Sequence, residues 1–287
     1  MSLDIYAMIT DRIIAALEQG TVPWHKPWTG GEMRCISYST GKPYSLLNCI
    51  LLGCVSGEYI TYNQAVSAGG HVKAGEKSRI VVFWKPIEKE DPDTGEKKPF
   101  FVLRYYNVFH ISQCENIEPR WRSSCPAPGS DLQPNEYAEE IIQDYLKRSG
   151  VKLTVTQSNN AFYRPYTDEV VIPQLSQYKH VAEYYSTCFH ELTHSTGHPS
   201  RLNRLTEDAG FGSETYSAEE LVAELGSAFL VNRVGLETDE CFNNSAAYIA
   251  GWLSVLKNDK RMIVTAAGKA EKATKLILNE TENGAPV

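Results

Sequence analysis

No two cysteines of this chain stand in C-x-x-C spacing. The seven present are scattered and odd in number, which fits the reduced thiols of a cytoplasmic protein better than a disulfide framework. Long apolar runs are missing too. The longest uncharged one, Leu46 to Val55, is half of the ~20 residues that a membrane-spanning helix requires. The opening Met1 to Tyr6 lacks a basic segment followed by an apolar one, so it begins an amphipathic helix rather than a signal peptide. There is no excess of basic charge: 28 Lys and Arg stand against 35 Asp and Glu, a net charge of -7. Residues 1–118 carry a balance of -1 and residues 119–287 a balance of -6. Neither half has the charge for tight, backbone-driven binding to duplex DNA. No solenoid-type repeat occurs. These absences leave a cytoplasmic protein of two modest domains with no membrane partner.

What is present is a complete H-E-x-x-H sequence, His190-Glu191-Leu192-Thr193-His194. The apolar lead-in from Val181 to Phe189 marks a buried helix. At about 3.6 residues per turn, His190 and His194 share one face and can grip a single divalent metal. Glu191, beside the first histidine, can serve as general base toward a metal-activated water. Zinc fits such a site, with manganese as the alternative. A hydrolytic zinc site needs a third protein ligand and leaves its fourth position to water. Glu219, Glu220 and Glu224, on a second helical segment from Ser217 to Leu230, compete for that role. Glu220 and Glu224 are four apart and share a face, while Glu219 is turned by about 100°.

Glu220-Leu221-Val222-Ala223-Glu224 resembles the third-ligand helix of gluzincin-type metallopeptidases. The resemblance implies Glu220 as ligand and Glu224 as the group that steadies a histidine from behind. His198 is set aside as a ligand, because Gly197-His198-Pro199 ends the helix before it. An additional donor to the tetrahedral intermediate is needed, and Tyr163, Tyr216 and His198 are the candidates.

From about Glu115 to Pro134 the chain turns rich in Pro, Ser and Arg, a linker composition. It divides residues 1–118 from 134–287, with 119–133 between. The first region reads as a helix to about Gln19, short helices near Leu46–Gly53 and Thr61–Ala68, and an antiparallel hairpin formed by Arg79–Trp84 and Phe100–Phe109. Trp84, in mid-strand, is a candidate stacking aromatic but is expected in the core. The second region reads as a helix at Pro134–Arg148, strands at Val151–Thr156 and Ala161–Pro173, the two metal helices, a helix at Asn244–Leu256 and a final one at Lys260–Leu278. The expected fold class is α+β: a small aromatic-rich domain followed by a zincin-like metallopeptidase domain.

Several stretches, in one order along the chain, resemble the antirestriction proteins of the ArdC type. In the first region they are Pro23-Trp24-His25-Lys26-Pro27-Trp28, Gly41-Lys42-Pro43-Tyr44, Thr61-Tyr62-Asn63-Gln64-Ala65, Gly69 to Lys77 and Tyr106-Asn107-Val108-Phe109. In the second they are Ala161-Phe162-Tyr163, Asp168 to Pro173, His190 to His194, Arg201-Leu202-Asn203-Arg204 and Glu219 to Leu225. The resemblance implies an N-terminal domain that binds single-stranded DNA, joined to a metallopeptidase-like domain, in a protein of mobile genetic elements that blunts restriction during DNA transfer. It departs at Ser45-Leu46, where the family often has Arg-Gly.

Single-strand binders combine stacking aromatics with basic side chains. The candidates are Trp24, Lys26, Trp28, Lys42, Tyr44, Tyr62, Lys73 and Lys77, with Asn48 as base reader or buried hydrogen-bonding residue. The expected function is thus a DNA-binding metalloprotease acting on an unidentified protein substrate. Two alternatives stand beside it: a metallopeptidase that cleaves a regulatory or toxin protein with a protein-binding first domain, and a non-catalytic DNA-binding protector with a structural metal.

Overall fold

The computed structural model of the chain describes residues 4–19, 35–53, 55–90, 97–121, 132–205, 214–236, 252–254 and 256–280. The helix expected at 244–256 falls mostly outside them. The chain divides into two compact units, Met1–Ile9 with Arg34–Ser123, and Thr10–Met33 with Ser124–Val287. The first unit therefore runs past the boundary expected at residue 118, and part of the N-terminal helix α1 (Ile5–Glu18) counts with the second.

In the first unit a four-stranded sheet has the order β1-β2-β5-β4. Its members are β1 (Cys35–Ser37), β2 (Gly57–Ile60), β4 (Arg79–Glu90) and β5 (Lys97–His110), and a two-stranded ribbon pairs β3 (His71–Val72) with β6 (Cys114–Glu115). β4 and β5 form the expected hairpin, in register from Arg79 opposite Val108 to Glu90 opposite Lys97. β4 is an edge strand, and an edge leaves backbone groups unpaired. At Val82 those groups are taken by Asn48 of helix α2 (Leu46–Leu51): its Nδ2 donates to the Val82 carbonyl at 2.8 Å, and its Oδ1 accepts from the Val82 amide at 2.7 Å. Ser45 caps α2, and the Thr61–Gln64 capping box opens α3 (Tyr62–Ser67).

Trp84 is not in the core; it is 50% exposed. A six-residue helix is about 9 Å long, whereas a twelve-residue strand reaches about 40 Å. Ile80, Val81 and Val82 at the start of β4 are buried, and Trp84, Lys85 and Pro86 beyond them are exposed. Arg120 and Trp121, which read as linker, fold onto this unit: both backbone amides donate to the Glu58 carboxylate, at 2.8 and 2.9 Å, and the Trp121 indole donates to the Tyr38 carbonyl.

In the second unit, α4 (Glu136–Ser149) starts at an Asn135 cap and ends at Gly150, whose φ of 76° suits glycine. Ala138, Ile141, Ile142 and Tyr145 form its buried face. A three-stranded sheet follows with β9 (Glu169–Pro173) between β7 (Lys152–Thr156, parallel) and β8 (Phe162–Arg164, antiparallel). Residues 161–173, expected as one strand, are two strands with a turn between, because Asp168 takes a positive φ of 49° and its amide turns back to the Pro165 carbonyl. The Asp168 carboxylate pairs with both outer nitrogens of Arg201 and accepts the Tyr163 hydroxyl at 2.7 Å. Burial acts to raise the Asp168 pKa, but Arg201 and Tyr163 outweigh it and hold the carboxyl below its usual range. Helices α5 (Val181–Ser195), α6 (Glu214–Arg233) and α7 (Met262–Leu278) complete the unit, with Tyr185, Cys188, Phe189, Leu192 and Leu230 in its core.

Replacing Asn48 by Ala is expected to destabilise the protein by about 2–4 kcal/mol, since the amide and carbonyl of Val82 lose their partners in a buried setting. Urea denaturation checks this. Unchanged stability would release the Asn48 amide from a structural role.

Candidate metal centre and aromatic groove

α5 presents His190 and His194 one turn apart, with their Nε2 atoms 3.1 Å from each other. α6 brings Glu220 across, Oε2 at 3.5 Å from His190 Nε2 and Oε1 at 3.5 Å from His194 Nε2. Among the described residues these three are the His/Cys/Asp/Glu group with converging donor atoms. Donors bonded at 2.0–2.2 Å in a tetrahedral zinc site lie ~3.3 Å from one another, so the three spacings match the edges of such a coordination shell.

The electrostatics favour a cation. Glu191 is buried at 8% exposure and Glu220 at 9%. Burial would lower the His194 pKa, but contacts with Glu219 and Glu220 overcome it and push it up to about 10. His190 is raised by Glu220 against the same opposing burial. Glu220, despite burial, is held well below the carboxylate range by the two imidazoles. A bound divalent ion would take the place of those protons as the partner of the carboxylates.

Each histidine also has a carboxylate behind it. Glu224 Oε1 lies 3.6 Å from His190 Nδ1, the supporting place expected for it. Glu219 Oε1 lies 3.5 Å from His194 Nδ1. Sequence reasoning gave Glu219 no role because it is turned away from Glu220. The signal was that two imidazoles, each with its second nitrogen buried, call for two acceptors rather than one.

Two of the three candidate oxyanion donors are engaged by other partners. The Tyr163 hydroxyl gives its proton to Asp168, and burial, with Asp168 beside it, raises its pKa. His198 lies beyond the end of α5 and outside the donor group, with Nδ1 engaged by Ser200. The Tyr216 side chain lies outside the described residues.

In the first unit a groove of about 920 Å³ is bordered by Tyr44, Tyr62, Phe83, Trp84, Tyr106 and Asn107, with Asn48 in its lining. Tyr62 is 57% exposed and Tyr106 50%. Phe83 and Tyr106 stack with centroids 4.4 Å apart and planes 10° from parallel. Among the described residues, no charged side chain lines the groove. Of the candidate nucleic-acid contacts, Tyr44, Asn48 and Tyr62 are thus brought together. Lys42, Lys73 and Lys77 are exposed outside the lining, with Lys73 Nζ donating to the Ser112 carbonyl at 2.9 Å. Trp24, Lys26 and Trp28 lie outside the described residues. Phe83 and Tyr106 were not singled out from sequence. They become visible as a pair only through the hairpin register, which sets Val81 opposite Tyr106 and Phe83 opposite Arg104.

Residues 3–109 match the family model of the N-terminal domain of anti-restriction factor ArdC, and residues 139–269 match that of a zincin-like metallopeptidase. The crystal structure of the antirestriction protein ArdC from plasmid R388 in its metal-free form superposes with a TM-score of 0.79 at 34% identity, over 96% of this chain and 97% of that one. Its Mn(II)-bound form gives 0.77 at 33% identity, with the same coverage. A Sinorhizobium fredii protein, y4eC, is 31% identical over 286 residues, 94% of this chain and 90% of its own length. Two Escherichia coli proteins named DNA primase TraC are each 33% identical over 95% of this chain, which spans only 20% and 27% of their lengths. Two domain matches in the same order, with a whole-length structural match at this identity, place the chain in the ArdC family of antirestriction proteins.

Proposed function

We propose that the chain is a metal-dependent peptidase that also binds single-stranded DNA and acts in antirestriction during DNA transfer. The convergence of His190, His194 and Glu220, with Glu191 buried next to the first histidine, is the observation that carries this reading. These three residues would hold a divalent ion, zinc or manganese. When bound, that ion supplies Lewis-acid polarisation of a carbonyl and acidifies water. Glu191 takes a proton from the attacking water and delivers it to the leaving amine, the general acid–base role that a carboxylate at this place in the motif serves. Glu224, with Oε1 3.6 Å from His190 Nδ1, favours a proton on that nitrogen, which leaves Nε2 free to bind.

The groove supports the DNA-binding half of the proposal. Exposed aromatic faces at Tyr62, Trp84 and Tyr106 offer stacking, worth about 1–3 kcal/mol per base. The amides of Asn63, Gln64 and Asn107 beside them can donate to and accept from base edges. With no charged lining residue among those described and a near-neutral N-terminal region, the bases carry the affinity and the phosphates add little.

Three measurements test this function. In protein loaded with zinc or manganese, Glu191→Gln is expected to retain the metal while losing cleavage of unfolded β-casein by about 10²–10⁴-fold, the worth of a general base. Undiminished cleavage would remove Glu191 from its role, and a wild type that holds metal but cleaves nothing would favour the non-catalytic protector. Metal analysis of purified Glu220→Ala is expected to find the site emptied. Anisotropy of a labelled single-stranded oligonucleotide, titrated with the full chain, is expected to show saturable binding. Its log-affinity against log-salt slope should be shallower than about -1.4, which corresponds to two phosphate contacts. Trp84→Ala should weaken that binding by about tenfold, within the range of one lost stack. A steep slope with an unaffected Trp84→Ala variant would place the DNA elsewhere.

A further inference from the structure

Beyond its ligands, the metal centre contains an asymmetry that the H-E-x-x-H pattern does not explain. The two carboxylates behind the histidines are held differently. Glu219 is gripped by Arg204: Nε donates to Oε2 at 3.2 Å and Nη2 to Oε1 at 2.8 Å. The other donors of the same guanidinium tie it to α5, Nη1 to Thr196 Oγ1 at 2.8 Å and Nη2 to the Thr193 carbonyl at 2.9 Å. Four of the five guanidinium N–H groups are thereby directed, and Arg204 is only 6% exposed. Glu224 is placed differently: among the described residues its ion-pair partner is His190, at 3.6 Å, and the charges that act on it most are His190, Glu220, His194 and Glu191.

The chain is built to bring Arg204 to this place. After α5 it folds back on the helix end, with the Leu202 amide donating to the Thr196 carbonyl and the amides of Arg204 and Leu205 both donating to the Gly197 carbonyl. Asn203, at a φ of 49°, makes the reversal. Gly197 leaves the room: a Cβ there would lie 2.9 Å from Leu205 Cγ and 3.2 Å from Arg204 Nη2.

We propose that Arg204 and Glu219 are positioning residues for the metal centre, a clamp that holds the His194 ring with its proton on Nδ1 and its Nε2 lone pair toward the ion. A carboxylate fixed at both oxygens by one planar guanidinium cannot rotate. Its Oε1, 3.5 Å from Nδ1, therefore accepts from one direction only. Without Arg204, Glu219 would be a buried carboxylate with no fixed orientation, free to swing away from His194. Lysine can replace it only in part, since its compact ammonium lacks the planar fork that fixes both carboxylate oxygens at once. The proposal rests on His190, His194 and Glu220 as the metal site.

The test is the zinc affinity of the folded protein, measured by competition with a chromophoric chelator, beside the thermal unfolding of the same metal-free samples. Arg204→Met and the nearly isosteric Glu219→Gln are each expected to weaken zinc binding by about 10–100-fold, the usual cost of removing an outer partner of a metal-bound histidine. Arg204→Lys is expected to recover only part of that loss. If Arg204→Met does not fold, Glu219→Gln decides. Wild-type zinc affinity in the folded variants, with only the unfolding temperature lowered, would make Arg204 a loop latch and overturn the proposal. A wild type that binds no zinc would overturn the site itself, a result distinct from the first.

Discussion

Everything in the second unit's chemistry depends on how closely α5 and α6 approach. A metal shell tolerates displacements of a few tenths of an ångström, and its donors here come from two separate helices. The contact is set by small residues. Gly226 of α6 faces Thr193 of α5 so tightly that a Cβ on it would sit 2.7 Å from the threonine methyl. Ser227 donates to the Ser186 carbonyl at 2.7 Å. Helices meeting through glycine and serine come nearer than helices meeting through leucine, and a glutamate on one can then span to histidines on the other. Gly226 costs about 1 kcal/mol of helix propensity relative to alanine, so its place in mid-helix is explained by the gap it closes rather than by α6 itself.

That closeness carries an electrostatic cost. Glu191, Glu219, Glu220 and Glu224 all come from α5 and α6, and each is no more than partly exposed. Burying several like charges together is unfavourable unless cations answer them. Arg204 answers one of the four. The imidazoles, when protonated, answer others, and this is the sense of their raised pKa values. A divalent ion answers the group more fully. The acidity of the carboxyl half, visible as a balance of -6 over residues 119–287, is in part the signature of this cluster.

What could be read in advance divides along a physical line. His190, Glu191 and His194 are legible because helical period places the two histidines on one face with the glutamate beside the first, whereas Glu220 was singled out among three acids by the resemblance of its helix to the third-ligand helix of gluzincin-type metallopeptidases. The hairpin of β4 and β5 was legible from β-branched and aromatic runs around a charged tip. Glu219 was not, because its role depends on a loop reversal at Asn203 that carries Arg204 back, a contact across 15 residues that no local pattern reports. Trp84 was misplaced for a related reason: alternation along a strand says which face a residue takes, but not where the helix covering that face ends. The 161–173 segment reads as one strand by composition, and splits because Asp168 finds Arg201, 33 residues away.

The two halves of the protein thus apply opposite physics to their ligands. The metal centre concentrates charge in a poorly solvated place, where one added cation is worth most. The groove of the first unit has no charged lining among the described residues and offers flat, half-exposed rings with amides between them. A ligand held there is held by surface and stacking, which ionic strength hardly touches, whereas an ion at the histidines is held by electrostatics and proton balance. Salt and pH therefore act on the two sites separately. The near-neutral charge of residues 1–118, which by itself counted against nucleic acid, is what a stacking groove requires: a strand of bases needs faces to lie on more than it needs counterions.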